Sequence, residues 1–320
     1  MVVEAAGSLP LRIAYFGTPA FAVPTLAGLL KSRHSVVAVV SQPDRPRGRG
    51  HRVATTPTKE LAVLTGVPVL QPTKLRDEAF LASIAALKAD LGVVAAYGRI
   101  LPDALLGIPR LGMINVHASL LPAYRGAAPI HRAVMAGETV TGVTIMRVVS
   151  ELDAGPMIAR ATVPIGPDAT SVEVEAQLAE RGAVLLLDVV EQFAKGDVVE
   201  TEQDHTKATH AQKILKTEGP IDWSLPAVRI HNMVRGLQPW PLASTTIGVT
   251  RCLIQRTTMA GEATEAPPGT IVRAEGETLA VATGDGVIHI LQIQPEGRRL
   301  MTAREFLSGH KTTAGSRLPS

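Results

Sequence analysis

Asn115 and His117 lie two positions apart at the end of an apolar run, in Ile114-Asn115-Val116-His117-Ala118-Ser119-Leu120-Leu121-Pro122-Ala123-Tyr124-Arg125-Gly126. In an extended chain, residues i and i+2 face the same side, so an amide donor and an imidazole would stand together where the chain leaves its strand. Such a pair can hold a developing oxyanion. A turn-capping Asn beside a satisfied buried histidine would show the same residue types, and on those types alone the two readings stand level. A second polar cluster, Ser150-Glu151-Leu152-Asp153-Ala154-Gly155-Pro156, connects two further apolar runs. Asp153 could orient His117 and favour the protonated imidazole, or accept a proton from an attacking amine. Asp-Ala-Gly-Pro is also ordinary turn chemistry, and taken alone an Asx turn is the commoner reading. A third cluster, Arg45-Pro-Arg-Gly-Arg-Gly-His-Arg52, has four arginines in eight residues. Its glycines forbid a stable helix, which predicts a mobile basic loop, a solvated surface feature in a generic enzyme.

The elements that must position these clusters alternate in type. Residues 11–16 form a short apolar run closed by Gly17-Thr18-Pro19, residues 21–30 carry apolar side chains at helical spacing, and 35–40 is a β-branched run. That is a strand–helix–strand unit, which predicts parallel strands and a right-handed crossover. The theme continues with a strand at 67–71, a helix near 77–88, and strands at 91–97 and 112–116. A helix near 128–136, strands at 142–149 and 157–163, and an amphipathic helix at 171–195 follow. The expectation is a Rossmann-like α/β domain over residues 1–196, with Asn115 and His117 beyond the carboxyl end of a strand, where open sheets bind ligands. Residues 197–216 are polar and bear Lys207, His210, Lys213 and Lys216, which reads as a basic linker. From 217 to 320, short strand-like runs at 251–257, 269–273, 278–282 and 287–293 are separated by Gly and Pro. They predict a small all-β domain, an OB-like β-barrel.

Composition removes several function classes. The chain has 320 residues, 46% of them hydrophobic, yet only two Trp, three Tyr and five Phe, so its core must be built from Ala, Val, Leu and Ile. A disordered or fibrous chain does not fit. The single cysteine, Cys252, supports neither a disulfide framework nor a Cys-based metal centre. The nine histidines include no close zinc-ligand pair, His205 and His210 being five apart in the polar linker, and no metal is expected. A net charge of +3, from 32 basic and 29 acidic residues, leaves any nucleic-acid binding to local patches. The N-terminal residues lack a basic n-region, and no apolar run approaches the roughly 18 residues of a membrane helix, so a soluble cytoplasmic protein is expected. The turn Gly17-Thr18-Pro19-Ala20-Phe21 lacks the Gly-x-Gly-x-x-Gly fingerprint and a P-loop is absent, which argues against a nucleotide cofactor.

Taken in order, Asn115-x-His117, Ser119-Leu120-Leu121-Pro122, Gly126-Ala-Ala-Pro-Ile130, Thr141-Gly-Val-Thr-Ile-Met146 and Leu152-Asp153-x-Gly155 resemble the folate-dependent formyltransferases. Gln42-Pro-Asp-Arg-Pro-x-Gly-Arg-Gly50, Ile221-Asp-Trp-Ser224 and Pro239-Trp-Pro241 are similar to the branch of that family that acts on methionyl-tRNA. The resemblance runs from about residue 11 to about residue 307. It implies a Rossmann-like formyltransferase domain followed by a β-barrel domain. The implied reaction is formyl transfer from 10-formyltetrahydrofolate, a co-substrate, to the α-amino group of methionine on initiator tRNA, by a monomer without metal or membrane. Catalysis would fall to Asn115, His117 and Asp153. Arg99, Ile100 and Leu101, with Ser119, Leu120, Leu121 and Pro122, would frame the pterin and the one-carbon unit through backbone groups. Arg45, Arg47, Arg49 and Arg52 would grip the acceptor end, Arg49 reaching furthest, while Lys207, Lys213 and the β domain would meet phosphates. The chain departs from the family pattern at Glu151, Ala154 and Pro156, and His51-Arg52 replaces a usual Lys pair. Trp223 and Trp240 read as packing residues rather than stacking platforms for bases. Two other readings remain: a formyltransferase for a sugar amine or small metabolite, which would not need the arginine loop, and an RNA-binding protein that only presents that loop. The complete Asn/His/Asp set argues against the latter.

Overall fold

The computed structural model describes residues 9–47 and 52–319, apart from the side chains of Pro46, Arg47, Arg52 and Val53. In chain order the first elements are β1 (Arg12–Gly17), α1 (Val23–Lys31), β2 (Ser35–Val40), β3 (Arg45–Arg47), β4 (Arg52–Ala54), α2 (Pro57–Leu64) and β5 (Val69–Leu70). Then come α3 (Glu78–Ala86), β6 (Leu91–Ala95), α4 (Asp103–Leu106), β7 (Met113–His117), β8 (Arg125–Gly126) and α5 (Pro129–Ala136). They are followed by β9 (Val140–Arg147), β10 (Met157–Pro164), α6 (Ser171–Lys195) and β11 (His210–Ala211). The chain divides discontinuously into two compact units. One holds residues up to 127 with 140–164 and 175–211; the other holds 128–139, 165–174 and 212–320.

The first unit is built on a seven-stranded sheet of order β10-β9-β7-β6-β1-β2-β5. The strands from β5 to β7 in that order pair in parallel, as the alternation predicts. Strand β9 instead runs antiparallel to β7, although α5 lies between them in the chain. The edge strand β10 turns back antiparallel to β9, because residues 148–156 join these two directly with no crossover helix. All five residues of β6 are buried, as befits a strand covered on both faces. This strand stops two residues short of its apolar run, since Ala96 turns to φ 45° and Gly98 to φ 79°. The helix α1 starts later than the periodicity suggests, after a 3-10 turn at Ala20–Ala22, with Pro24 in its first turn where an amide N–H is not needed. Asp77 caps α3, its carboxylate accepting from the N–H groups of Ala79 (2.9 Å) and Phe80 (3.3 Å).

The expected linker is not slack. Its β11 pairs in parallel with β8, His210 against Arg125 and Ala211 against Gly126. Gly126 has φ 121°, and a Cβ there would press on the Ala211 carbonyl, so this close approach demands glycine.

The second unit contains α7 (Ala227–Gly236), β12 (Ala243–Ile247), β13 (Thr250–Met259), β14 (Ile271–Glu275), β15 (Thr278–Ala282), β16 (Val287–Pro295), β17 (Met301–Thr302) and α8 (Ala303–Gly309). Its antiparallel sheet has the order β12-β13-β16-β15-β14, with β17 on β16. The all-β expectation is corrected by α7 and α8. The inner face of α7 hid the helix from the periodicity, because it buries His231, Asn232 and Arg235 among its apolar residues. Each has its own partner: His231 meets Thr257 and the Pro167 carbonyl, and Arg235 donates to Asn232. Trp223 is buried as expected, its indole N–H donating to Thr245. Trp240 is not a core residue; it is 52% exposed. No helix among the described residues is long and apolar enough to cross a membrane.

Candidate active site

The strand β7 lies between β6 and β9, with Asn115 opposite Val94 and Met146, and His117 opposite Thr144. Strand alternation places both side chains on one side of the sheet at its carboxyl end. His117 is 5% exposed; its Nε2 lies 3.1 Å from the Tyr124 carbonyl oxygen and its Nδ1 lies 3.6 Å from Asp153 Oδ2. A ring nitrogen against a carbonyl must carry the proton, so Nε2 is the N–H and Nδ1 faces the carboxylate. The gap of 3.6 Å exceeds hydrogen-bond length, so Nδ1 remains open to a third atom. Asp153 Oδ2 accepts the Gly126 N–H at 2.9 Å. Asp153 and Tyr124 both have left-handed backbones, φ 51° and 61°, which non-glycine residues keep only where their surroundings enforce it. Asn115 is half-buried, and no described residue hydrogen-bonds to its side-chain amide.

The turn after His117 is fixed from below by Thr144 on β9. Its buried hydroxyl donates to the Ser119 carbonyl at 2.7 Å and accepts the Leu121 N–H at 3.1 Å. Ser119 Oγ donates to the Ala123 carbonyl, Leu121 packs with Met146 and Met157, and the Pro122 carbonyl accepts from the Thr209 N–H. Much of the polar backbone of the Ser119-Leu120-Leu121-Pro122 turn is therefore engaged within the protein.

Two residues absent from the sequence-derived set, Arg125 and Gln203, complete the site. Buried Arg125 donates through Nε and Nη2 to Gln203 Oε1, and Gln203 Nε2 donates to the carbonyls of Asp153 and Gly155. A lone arginine inside an otherwise uncharged motif is a sign of a buried partner, but nothing in the polar stretch around Gln203 marks it. The departures beside Asp153 are accommodated locally. Glu151, mostly exposed, lies 3.8 Å from Arg125 Nη1, and the Pro156 carbonyl accepts the Arg147 N–H.

Beyond the carboxyl end of β6 lies a cavity of about 590 Å³. Arg99, Ile100, Leu101 and Pro102 line one part of it, Thr73 to Arg76 another, with Asp103 and Ser150. Arg99 is fixed by donating to the carbonyls of Thr73 and Pro72. Lys74, Arg76 and Arg99 oppose one acid, Asp103, over an apolar floor that includes Leu101, which suits an anionic ligand with an aromatic body. Ser119 to Pro122 and the Asn115/His117/Asp153 set do not line this cavity. Ser150, at the start of the Asp153 loop, is the link between them.

Of the arginine cluster, Arg45 to Arg47 and Arg52 to Ala54 form an antiparallel hairpin, with Arg47 opposite Arg52. Arg49, and the expected mobility of the tip, fall outside the described residues. The base of the hairpin is anchored at Asp44, which accepts from Lys59 Nζ (2.5 Å) and Gln71 Nε2 (2.7 Å). These bonds, Lys59 foremost, hold the Asp44 carboxyl below the usual carboxylate range. Lys207 is exposed and pairs with Asp204 at 3.0 Å, while Lys213 is exposed on the second unit.

Comparison with known proteins fits this geometry. A formyl transferase model matches residues 11–190, and a formyl transferase C-terminal domain model matches residues 213–311. The chain belongs to the formyl transferase family. A similar relative from Roseiflexus castenholzii is 45% identical over 313 residues, 97% of this chain and 99% of its own. Another, from Methylococcus capsulatus, is 44% identical over 308 residues, 96% of this chain and 99% of its own. Both are named methionyl-tRNA formyltransferase. Among solved structures, an N-formyltransferase from Helicobacter canadensis aligns with TM-score 0.68 at 18% identity, covering 90% of this chain and 100% of that one. HypX from Aquifex aeolicus aligns with TM-score 0.66 at 19% identity, covering 95% of this chain and 49% of its own. At such identities the likeness shows the formyl transferase fold, an α/β domain followed by an antiparallel one.

Proposed function

We infer that this formyl transferase moves the formyl group of 10-formyltetrahydrofolate to the α-amino group of methionine carried on initiator tRNA. The observation that carries this reading is identity of 44–45% across both domains with relatives named for that reaction. The free amine attacks the formyl carbon, converting the carbonyl oxygen to an oxyanion and the nitrogen to an ammonium. The Asn115 amide and protonated His117, through Nδ1, donate to the oxyanion. Asp153 balances the imidazolium and receives the proton lost by the amine. Collapse of the tetrahedral intermediate expels N10 of tetrahydrofolate, which takes up a proton. No metal is required.

The cavity at Arg99, Ile100 and Leu101 receives the folate, and Ser119, Leu120, Leu121 and Pro122, outside that cavity and next to His117, frame the one-carbon unit. Arg45, Arg47, Arg49 and Arg52 meet the acceptor end of the tRNA, and Lys207 and Lys213 meet phosphates. In this scheme residues 1–196 carry catalysis, 197–216 connect, and 217–320 serve tRNA binding. The enzyme works in the cytoplasm as a monomer, in keeping with a lone cysteine that is buried. Incubation with 10-formyltetrahydrofolate and either methionyl initiator tRNA or amino sugars tests the reading: formylmethionyl-tRNA should accumulate. Formylation of an amino sugar alone would overturn it.

A further inference from the structure

Gln203 lies outside every motif above, yet it is 3% exposed and makes four hydrogen bonds. Its Oε1 accepts from Arg125 Nε at 3.1 Å and Nη2 at 2.7 Å. Its Nε2 donates to the Asp153 carbonyl at 2.9 Å and the Gly155 carbonyl at 2.8 Å. Both donors and both acceptor sites of the amide are in use. Its orientation is also determined, because Arg125 offers only donors and the two carbonyls only acceptors. What it joins is specific. Arg125 stands between Tyr124, whose carbonyl takes the His117 Nε2–H, and Gly126, whose N–H holds the Asp153 carboxylate. On the other side of the amide is the Asp153 backbone itself, in its left-handed conformation.

We propose that Gln203 is a positioning residue for formyl transfer: by tying Arg125 to the Asp153–Gly155 turn, it sets how His117 and Asp153 face each other. This rests on the catalytic reading of that pair. Gln203→Glu keeps the shape and the acceptor for Arg125 but turns an oxygen toward two carbonyls. Gln203→Ala removes all four bonds.

Displacing a reacting group by on the order of 1 Å costs up to about 10²-fold in rate. Either variant should therefore lower kcat by about ten- to a hundredfold, with KM for tRNA and folate within about twofold of wild type. Added to Asp153→Ala, the same substitution should cost nothing further, since a positioning effect disappears with the group positioned. Without any substrate, amide exchange at Gly126 should accelerate in both variants by more than the change in melting temperature explains. Unchanged kcat and unchanged Gly126 exchange would overturn the proposal. So would an equal loss of kcat in the Asp153→Ala background, which would mark a general structural role. Accelerated Gly126 exchange in an enzyme that formylates no methionyl-tRNA would instead remove the function reading and leave the positioning in place.

Discussion

Asp153→Asn removes the charge beside His117, and with it the acceptor for the amine proton, while leaving the side chain's shape in place. Asparagine preserves the side-chain shape and still offers an oxygen to the Gly126 N–H, so the turn should survive. Two unit charges 3.6 Å apart attract by about 5 kcal/mol at an effective dielectric near 20. The His117 and Asp153 side chains are only 6% and 10% exposed, so water screens them incompletely. The Asn dipole and local relaxation restore part of that attraction, leaving about 2–3 kcal/mol of transition-state stabilisation at stake. At about 1.4 kcal/mol per tenfold, loss of the charge alone should lower kcat roughly 30- to 150-fold, and loss of the proton acceptor can only add to that. The Asp153–imidazolium pair is exploited when the oxyanion develops, so KM for tRNA and for folate should hold within about twofold. The assay is the initial rate of formylmethionyl-tRNA formation with both substrates saturating, alongside a thermal melt. A kcat within threefold of wild type would refute the electrostatic argument. A rise in KM at constant kcat would reassign Asp153 to binding.

Asn115→Ala and His117→Ala should each lower turnover by on the order of 10²-fold or more while tRNA binding changes little, as filter binding and single-turnover rates would show. Thr144→Val strands the Ser119 carbonyl and the Leu121 N–H, both on fully buried residues. At about 1–3 kcal/mol for each of the two stranded groups, the variant should lose roughly 2–6 kcal/mol in denaturant unfolding, and an unchanged midpoint would contradict the hydrogen-bond assignment. Arg33, then His34, hold the Glu191 carboxyl down at about 2. A carboxylate depressed in the fold stabilises it above the ordinary value near 4.5 and loses that effect as pH falls toward 2. Glu191→Gln should thus melt slightly earlier at pH 7, by about 0.2–1 kcal/mol for so exposed a pair, and the two melting curves should converge from pH 4.5 down to 2. Single alanine substitutions at Arg45, Arg47, Arg49 or Arg52 should raise the KM for tRNA and flatten its salt dependence by about one slope unit for each phosphate left without its arginine. Identical kinetics at low and high salt would mark the hairpin as a plain surface feature.

How far the sequence reveals this site depends on how each residue acts. Asn115 and His117 are visible because an apolar strand ends at them with the alternation that puts both on one side. Helix α6 is visible because its apolar stripe is uninterrupted, whereas α7 is hidden by His231, Asn232 and Arg235, whose burial depends on partners elsewhere in the chain. The reversal of β9 against β7 follows from the course of the connection that carries α5, which hydrophobic period does not encode. Asp153 stands between these cases: its turn residues are ordinary, and only the ordered set of motifs singles it out. Gln203 left no trace because its partners are mostly backbone carbonyls, which every residue has, 48 and 50 positions away. Groups that react must be particular residue types, and type is what a sequence displays. Groups that hold them need only reach a carbonyl or an N–H at the right place, and that place exists only once the chain has folded. The Tyr124 carbonyl makes the same point more sharply than Gln203 does. It fixes which nitrogen of His117 carries the proton, and it would do so with almost any side chain at position 124 whose backbone accepts φ 61°.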